Sequence, residues 1–161
     1  MEKFYDLNGN MVTLTFDQNR FVESPTHVFV VCRYRDQWLL TDHPKRGIEF
    51  PGGKQEATET IEQAAEREVF EETGGIVGNL VYMGEYRVAQ TPPRKSFVKA
   101  IFFASIREIQ SKEDYLETNG PILMSDILSV VQEGRFSFNM KDMVLIRTLE
   151  QLNKRGLLKH N

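Results

Sequence analysis

The chain has 161 residues, 40% apolar and 27% charged, the make-up of an ordinary globular protein; collagen-like, low-complexity and disordered readings are excluded. That length implies a single domain over residues 1–161, with enough chain to bury a core. With 20 Lys and Arg against 23 Asp and Glu the net charge is −3, which argues against a protein that coats DNA.

The first residues, Met1-Glu2-Lys3-Phe4-Tyr5-Asp6, lack the apolar stretch of a signal peptide. The longest apolar runs, residues 28–32 and 100–106, fall far short of the roughly 18 residues that span a bilayer. A cytoplasmic protein with no membrane partner is the expectation. The single cysteine, Cys32, sits inside the first apolar run and reads as a small buried hydrophobe.

In chain order, Asn8-Gly9-Asn10 separates two short β-like runs and reads as a hairpin turn. Ser24-Pro25-Thr26 is a loop before a buried strand over residues 27–34. A turn at 35–37 leads to a second strand at 38–41. A polar loop, 42–47, precedes Ile48-Glu49-Phe50 and Pro51-Gly52-Gly53. Residues 58–73 carry a helical pattern; Thr58 or Thr60 caps its start, Thr60 with Gln63 spelling a capping box, and Gly74-Gly75 ends it. Strands are expected at 76–89 and 96–106, joined through Pro92-Pro93-Arg94-Lys95. After a polar stretch at 111–121, a short helix is expected at 125–133 and a longer one at 140–155. Leu145, Leu149 and Leu152 mark the core side of the longer helix, and Gly156 caps it. Strands with interspersed helices point to an α/β sheet covered by helices.

The helix at 60–73 carries the chemistry. At roughly 100° per residue, Ile61, Ala64 and Ala65 share one face with Val69 at its edge, and Glu68, Glu71 and Glu72 fall on that face too. Like charges at these spacings repel, and partial burial adds a desolvation cost of several kcal/mol per ion unless the group is paired or protonated. Arg67 alone cannot neutralise three carboxylates. A hard divalent cation can: Mg²⁺ takes oxygen ligands and keeps waters that a phosphate substrate displaces. Gly52-Gly53 lets the backbone approach a ligand closely, and Lys54 adds a mobile positive charge.

Gly53, Glu59, Arg67, Glu68, Val69, Glu71, Glu72 and Gly74 stand at the spacing of the Nudix box, and the chain resembles the Nudix hydrolase family. One position departs: Gly75 stands where the family has an aliphatic residue, and Ile76 comes one later. The resemblance implies an α/β/α sandwich, a mixed β-sheet flanked by helices. It implies metal ligation by Glu68 and Glu72, with Glu71 close by and the Gly53 carbonyl completing the site. Glu59 and Arg67 would form an ion pair orienting the helix. The general base would be Glu68 or a loop carboxylate, for which Glu117 is the candidate and a further metal ligand. Lys54, Arg94, Lys95 and Lys99 are candidate phosphate contacts. Tyr86, Phe136 and Phe138 are candidates to stack on a base, while His27, His43 and His160 read as structural or exposed.

A narrower resemblance lies in Gly47-Ile48-Glu49-Phe50, Glu117-Thr118-Asn119-Gly120-Pro121 and Phe136-Ser137-Phe138 with Lys141-Asp142. It is to the MutT-like, YtkD-type nucleoside triphosphatases of Bacillus-type bacteria. It implies Mg²⁺-dependent hydrolysis, with Mn²⁺ as substitute, of purine nucleoside triphosphates such as 8-oxo-dGTP to the monophosphate and pyrophosphate. Removal of pyrophosphate from RNA 5′ ends is the alternative. A nucleotide-sensing module without turnover is a third, against which the intact Glu68, Glu71 and Glu72 argue.

Overall fold

A computed structural model describes residues 1–158; His160 lies outside the described residues. The strands are β1 (Glu2–Tyr5), β2 (Met11–Thr15), β3 (His27–Tyr34), β4 (Gln37–His43), β5 (Gly47–Glu49), β6 (Gly52–Lys54), β7 (Gly75–Ala89), β8 (Phe97–Ile109) and β9 (Pro121–Met124). The helices are α1 (Ile61–Thr73) and α2 (Met143–Lys154). The strands join in the order β1-β2-β7-β8-β3-β4-β5, with β6 on β3 and β9 on β4. β3 runs parallel to β8 while the other pairs are antiparallel, so the sheet is mixed.

The period of two along β3 builds both faces. Phe29 and Val31 join the core under α2, with Ile101, Phe103, Leu145 and Leu152. Val28, Val30 and Cys32 point the other way, into a second core with Phe102, Ala64, Ala65 and Val69 of α1. Ala64 and Ala65 are fully buried, and such small side chains let the α1 backbone lie close on the sheet. The result is the expected α/β/α sandwich. Cys32 is fully buried, and burial pushes its thiol up, as fits a core residue.

α1 starts as its sequence dictates. Thr60 accepts from Gln63 N–H at 3.1 Å while Gln63 Oε1 accepts from Thr60 N–H at 2.8 Å. Thr60→Ala is expected to cost about 1 kcal/mol, read as a lowered denaturation midpoint with unchanged slope. Gly74 ends the helix in the left-handed region (φ 76°), where a Cβ would sit 2.1 Å from the Gln110 carbonyl. Gly75, the departure from the box, is wedged against Leu39 and Val69, each 3.1 Å from a would-be Cβ. The missing side chain allows close crossing of β4 and α1.

Three expectations need correction. Residues 125–133 form a run of turns, not a helix; Val131 N–H to the Ile127 carbonyl (2.8 Å) is an isolated helical turn. The chain must bend there to bring Phe136 beside Ile48, a pairing that breaks any continuing helix. The last helix begins at Met143 rather than 140, because the Asp142 carboxylate accepts from Val144 N–H (2.9 Å) and caps it. The polar stretch expected through residue 121 runs into a strand: Pro121 opens β9, whose pairing with Trp38–Thr41 of β4 extends the sheet.

Candidate active site

β6 places Gly53 opposite Val28 of β3 and directly beneath α1. A Cβ on Gly53 would lie 2.6 Å from Glu68 Cδ, and one on Gly52 would lie 2.5 Å from the Val28 carbonyl oxygen. Gly53 lets the Glu68 carboxylate rest against the strand, and Gly52 lets that strand lie close on β3. Gly53→Ala is expected to push Glu68 aside and lower turnover by about 10²-fold, since displacements near 1 Å have that effect. Pyrophosphate-release kinetics beside a melting curve check this; an active, correctly folded variant contradicts it.

Arg67 is the hub of the acidic cluster. Its Nε and Nη2 grip Glu59 (2.9 and 2.6 Å), its Nη2 also reaches the Lys54 carbonyl (3.0 Å), and its Nη1 donates to Glu68 (2.7 Å) and Glu71 (3.2 Å). The Glu59–Arg67 pair expected from the box is present, but Arg67 also faces two of the three helix carboxylates. Arg67 holds the Glu59 carboxyl below its ordinary range and is itself held more firmly charged.

Glu72 has no such partner. It is 8% exposed, and among the described residues the one hydrogen bond to its carboxylate is a 3.3 Å contact from Gly52 N–H. Burial, then the neighbouring Glu68 charge, pushes it up to about 9. Burial also pushes Glu68 up to about 7 against the pull of Arg67. Both groups sit in a cavity of about 550 Å³ whose other walls include Lys54, Arg46 and Glu117.

Among the described residues no three acidic, His or Cys side chains converge closely enough to cage an ion on their own. Arg67 draws Glu68 and Glu71 toward itself. The donor set still fits a hard cation: all its members are oxygens, Glu72 is buried with a single N–H partner, and Mg²⁺ needs only one or two carboxylates when waters and phosphates supply the rest.

The loop between β8 and β9 closes the cavity. The last turn of α1 has no basic residue, so its carbonyls need donors from elsewhere. Lys112 Nζ supplies the Phe70 and Glu71 carbonyls (3.0 and 3.1 Å), and the Thr118 and Thr41 hydroxyls supply that of Glu72 (3.1 and 3.0 Å). This moors the loop and brings Glu117 into the cavity wall near Glu68. Lys112, Thr118 and Thr41 escaped the sequence reading; the missing basic residue in the helix's last turn was the available signal. Arg46, inside a loop read only as polar, escaped too.

Two smaller cavities continue from the first. One of about 160 Å³ shares Arg46, Gly52 and Gly53 with it. The next, of about 240 Å³, shares Lys99 and Asn139 with that one and is lined by Tyr86, Phe138 and Asp142. Lys99 lies over the Tyr86 ring (5.7 Å), and its ammonium is pulled down by burial. Tyr86 is 6% exposed, with Phe29 packed nearly perpendicular to it and Lys99 over its ring, so it leaves little surface for a base. Phe138 is 39% exposed and available to stack, whereas Phe136 is buried in the core and is not. Lys54 lines the large cavity. Arg94 and Lys95 are exposed in the β7–β8 turn and line none of the three.

His27 and His43 both line the large cavity but are bound structurally. His27 Nδ1 pairs with Thr26 Oγ1 (2.8 Å), and burial, with Lys99 and Lys54 nearby, lowers it to about 4. His43 Nδ1 accepts from the Lys45 and Arg46 N–H groups.

A helix thus lines a cavity with two half- to fully buried carboxylates, Glu68 and Glu72, held against a glycine strand. Residues 21–121, more than half of the chain, match the family model of the NUDIX domain, and the chain belongs to the Nudix hydrolases. Over 157 residues it is 46% identical to YtkD of Bacillus subtilis (strain 168), provisionally named an 8-oxo-dGTP diphosphatase; the alignment covers 97% of this chain and 98% of that one. It is similar at 44% identity to the crystal structure of the Bacillus subtilis pyrophosphohydrolase BsRppH in its E68A form, with a TM-score of 0.94 over 99% of this chain and 100% of that one. A NUDIX hydrolase from Nitrosomonas europaea shares the fold at 19% identity, with a TM-score of 0.65 over 86% and 98% of the two chains. Among the described residues no helix is long and apolar enough to cross a membrane.

Proposed function

We propose that the whole chain is one Mg²⁺-dependent pyrophosphohydrolase unit acting on purine nucleoside triphosphates, oxidised ones such as 8-oxo-dGTP included, with Mn²⁺ as a substitute ion and a cytoplasmic location. The observation that carries this is the run of three cavities. Its acidic end holds Glu68 and Glu72, its middle holds Arg46 and Lys99, and its far end offers the Phe138 face beside Asp142. That order suits a ligand with a polyphosphate at one end and a flat ring at the other. The names of YtkD and BsRppH support the same chemistry.

Glu72, Glu68, Glu71 and the Gly53 carbonyl are the residues that would hold the ion, with Glu117 reaching it from the loop. A bound divalent ion neutralises phosphate charge and lowers the pKa of a nearby water. Arg67 keeps Glu68 and Glu71 in place. Glu117, a cavity carboxylate with neither a hydrogen bond nor an ion pair among the described residues, is free to take the water's proton as its oxygen attacks phosphorus. The P–O bond of the anhydride breaks in line, and Lys54 meets the charge on the departing pyrophosphate.

The same chemistry on an RNA 5′ triphosphate is the second reading. Arg94 and Lys95 favour it: they stand exposed between Gln90 and Phe97, which line the far cavity, so a longer polyanion leaving that cavity meets them. Product analysis with dGTP, 8-oxo-dGTP and 5′-triphosphorylated RNA, each with Mg²⁺ or EDTA, tests both. Pyrophosphate release from the free nucleotides is expected. A rate confined to RNA selects the second reading, and no release from any substrate rejects both in favour of a binding module.

A further inference from the structure

Arg46 lines both the acidic cavity and the one that leads away from it, and so stands where they meet. Its anchor is unusual. Glu49, only 4% exposed, takes Arg46 Nε at 3.0 Å and Nη2 at 2.8 Å in a fork-to-fork pair. Asn139 Nδ2 adds a 3.3 Å contact to the same carboxylate. The turn behind it is equally held: Arg46 N–H donates to His43 Nδ1 (3.1 Å), and Ile48 is tied to Arg135 and Ser137 through backbone bonds of 2.8 and 2.9 Å. A guanidinium has three nitrogens, and this anchorage uses two. Nη1 has no hydrogen-bond partner among the described residues, and the Arg46 side chain is 40% exposed.

We propose that Arg46 is a phosphate-gripping residue of this site, with Glu49 as its positioning residue: the Glu49 fork presents Nη1 at the seam of the two cavities to the polyphosphate chain that crosses it. The assignment rests on the triphosphate reading of the site. The charge balance supports it. Glu49 cancels the guanidinium's formal charge, so Arg46 supplies directed donors without repelling a cation held by Glu68 and Glu72. The planar fork matters as well; an ammonium at this position keeps the charge but loses the two-bond anchor.

The competing account is structural, with Arg46 present only to neutralise a buried carboxylate. Isothermal titration of the full chain with inorganic tripolyphosphate separates the two and needs no turnover. R46Q is expected to weaken tripolyphosphate binding by about tenfold or more, and R46K to recover only part of it. Because R46Q strands Glu49, the double variant R46Q/E49Q is the decisive arm: it removes both charges and keeps hydrogen-bonding side chains at both positions. A folded double variant that still binds weakly upholds the assignment. Wild-type affinity in the double variant, or in a folded R46Q, overturns it, as does a wild-type chain that binds no tripolyphosphate. E49Q alone is expected to raise KM for the nucleotide more than it lowers kcat, with Arg46 left charged but loosely aimed; an unchanged KM removes Glu49 from the role. Should the wild-type chain bind tripolyphosphate and yet hydrolyse no triphosphate, the functional reading fails, while the variant affinities still read whether Arg46 grips phosphate.

Discussion

Glu68→Gln is expected to lower turnover by about 10³-fold or more while leaving the fold intact. The carboxylate lies against Gly53 with no room to spare, is gripped by Arg67 at 2.7 Å, and is raised by burial to about 7. Gln has the same shape, so Gly53 is not disturbed. It keeps an oxygen for Arg67 to donate to, but lacks the charge that draws a cation into the cavity. The loss should therefore fall on chemistry and on ion affinity together, and extra Mg²⁺ should restore little of it. Pyrophosphate release across a Mg²⁺ titration, beside thermal unfolding, reads both. A variant with near wild-type turnover would remove Glu68 from the metal site.

The metal-free protein is expected to lose stability as pH rises from about 5 to 9, the reverse of the usual behaviour of paired carboxylates. The cause is Glu72, raised to about 9, with a smaller part from Glu68 at about 7. An unfolded Glu titrates near 4.3. Between that value and the raised ones the native state holds more protons than the unfolded chain, so the unfolding free energy falls with pH. The contribution of Glu68 levels off above about 7 and that of Glu72 above about 9. The summed effect is on the order of a few kcal/mol, or about 10 °C in melting temperature for a chain of this size. In EDTA the melting temperature should fall across this range. With Mg²⁺ the curve should flatten, because a bound cation replaces the protons. Glu72→Gln should remove most of the slope and melt higher than wild type in EDTA at pH 9, since Gly52 N–H can still donate to the amide oxygen. A level EDTA profile would show that Glu72 is not strained as its burial implies.

The relation of Arg67 to the cluster shows how far one dimension carries. The resemblance to the Nudix box implied the Glu59–Arg67 pair, and the helical period put Glu68, Glu71 and Glu72 on one face, which follows from local geometry. That Arg67 also reaches Glu68 and Glu71 depends on its long side chain bending across the turn toward the cavity. The wheel, which places it off that face, does not contain this.

The sequence by itself determined α1 with its Thr60 cap and Gly74 stop, the alternating strand β3, the glycine pair, and the family. Each is written in neighbours within about a turn of helix or a strand's length, where backbone sterics and periodicity act. Only the tertiary structure decided that residues 125–133 turn rather than coil, that 121–124 pair as a strand, that Lys112 and Thr118 satisfy the end of α1, and that Arg46 stands on Glu49 between two cavities. Those outcomes, the local Arg46–Glu49 pair itself apart, depend on partners dozens of residues away. Burial and unmet hydrogen bonds outweigh local propensity there, and no pattern along the chain records which distant group will meet them.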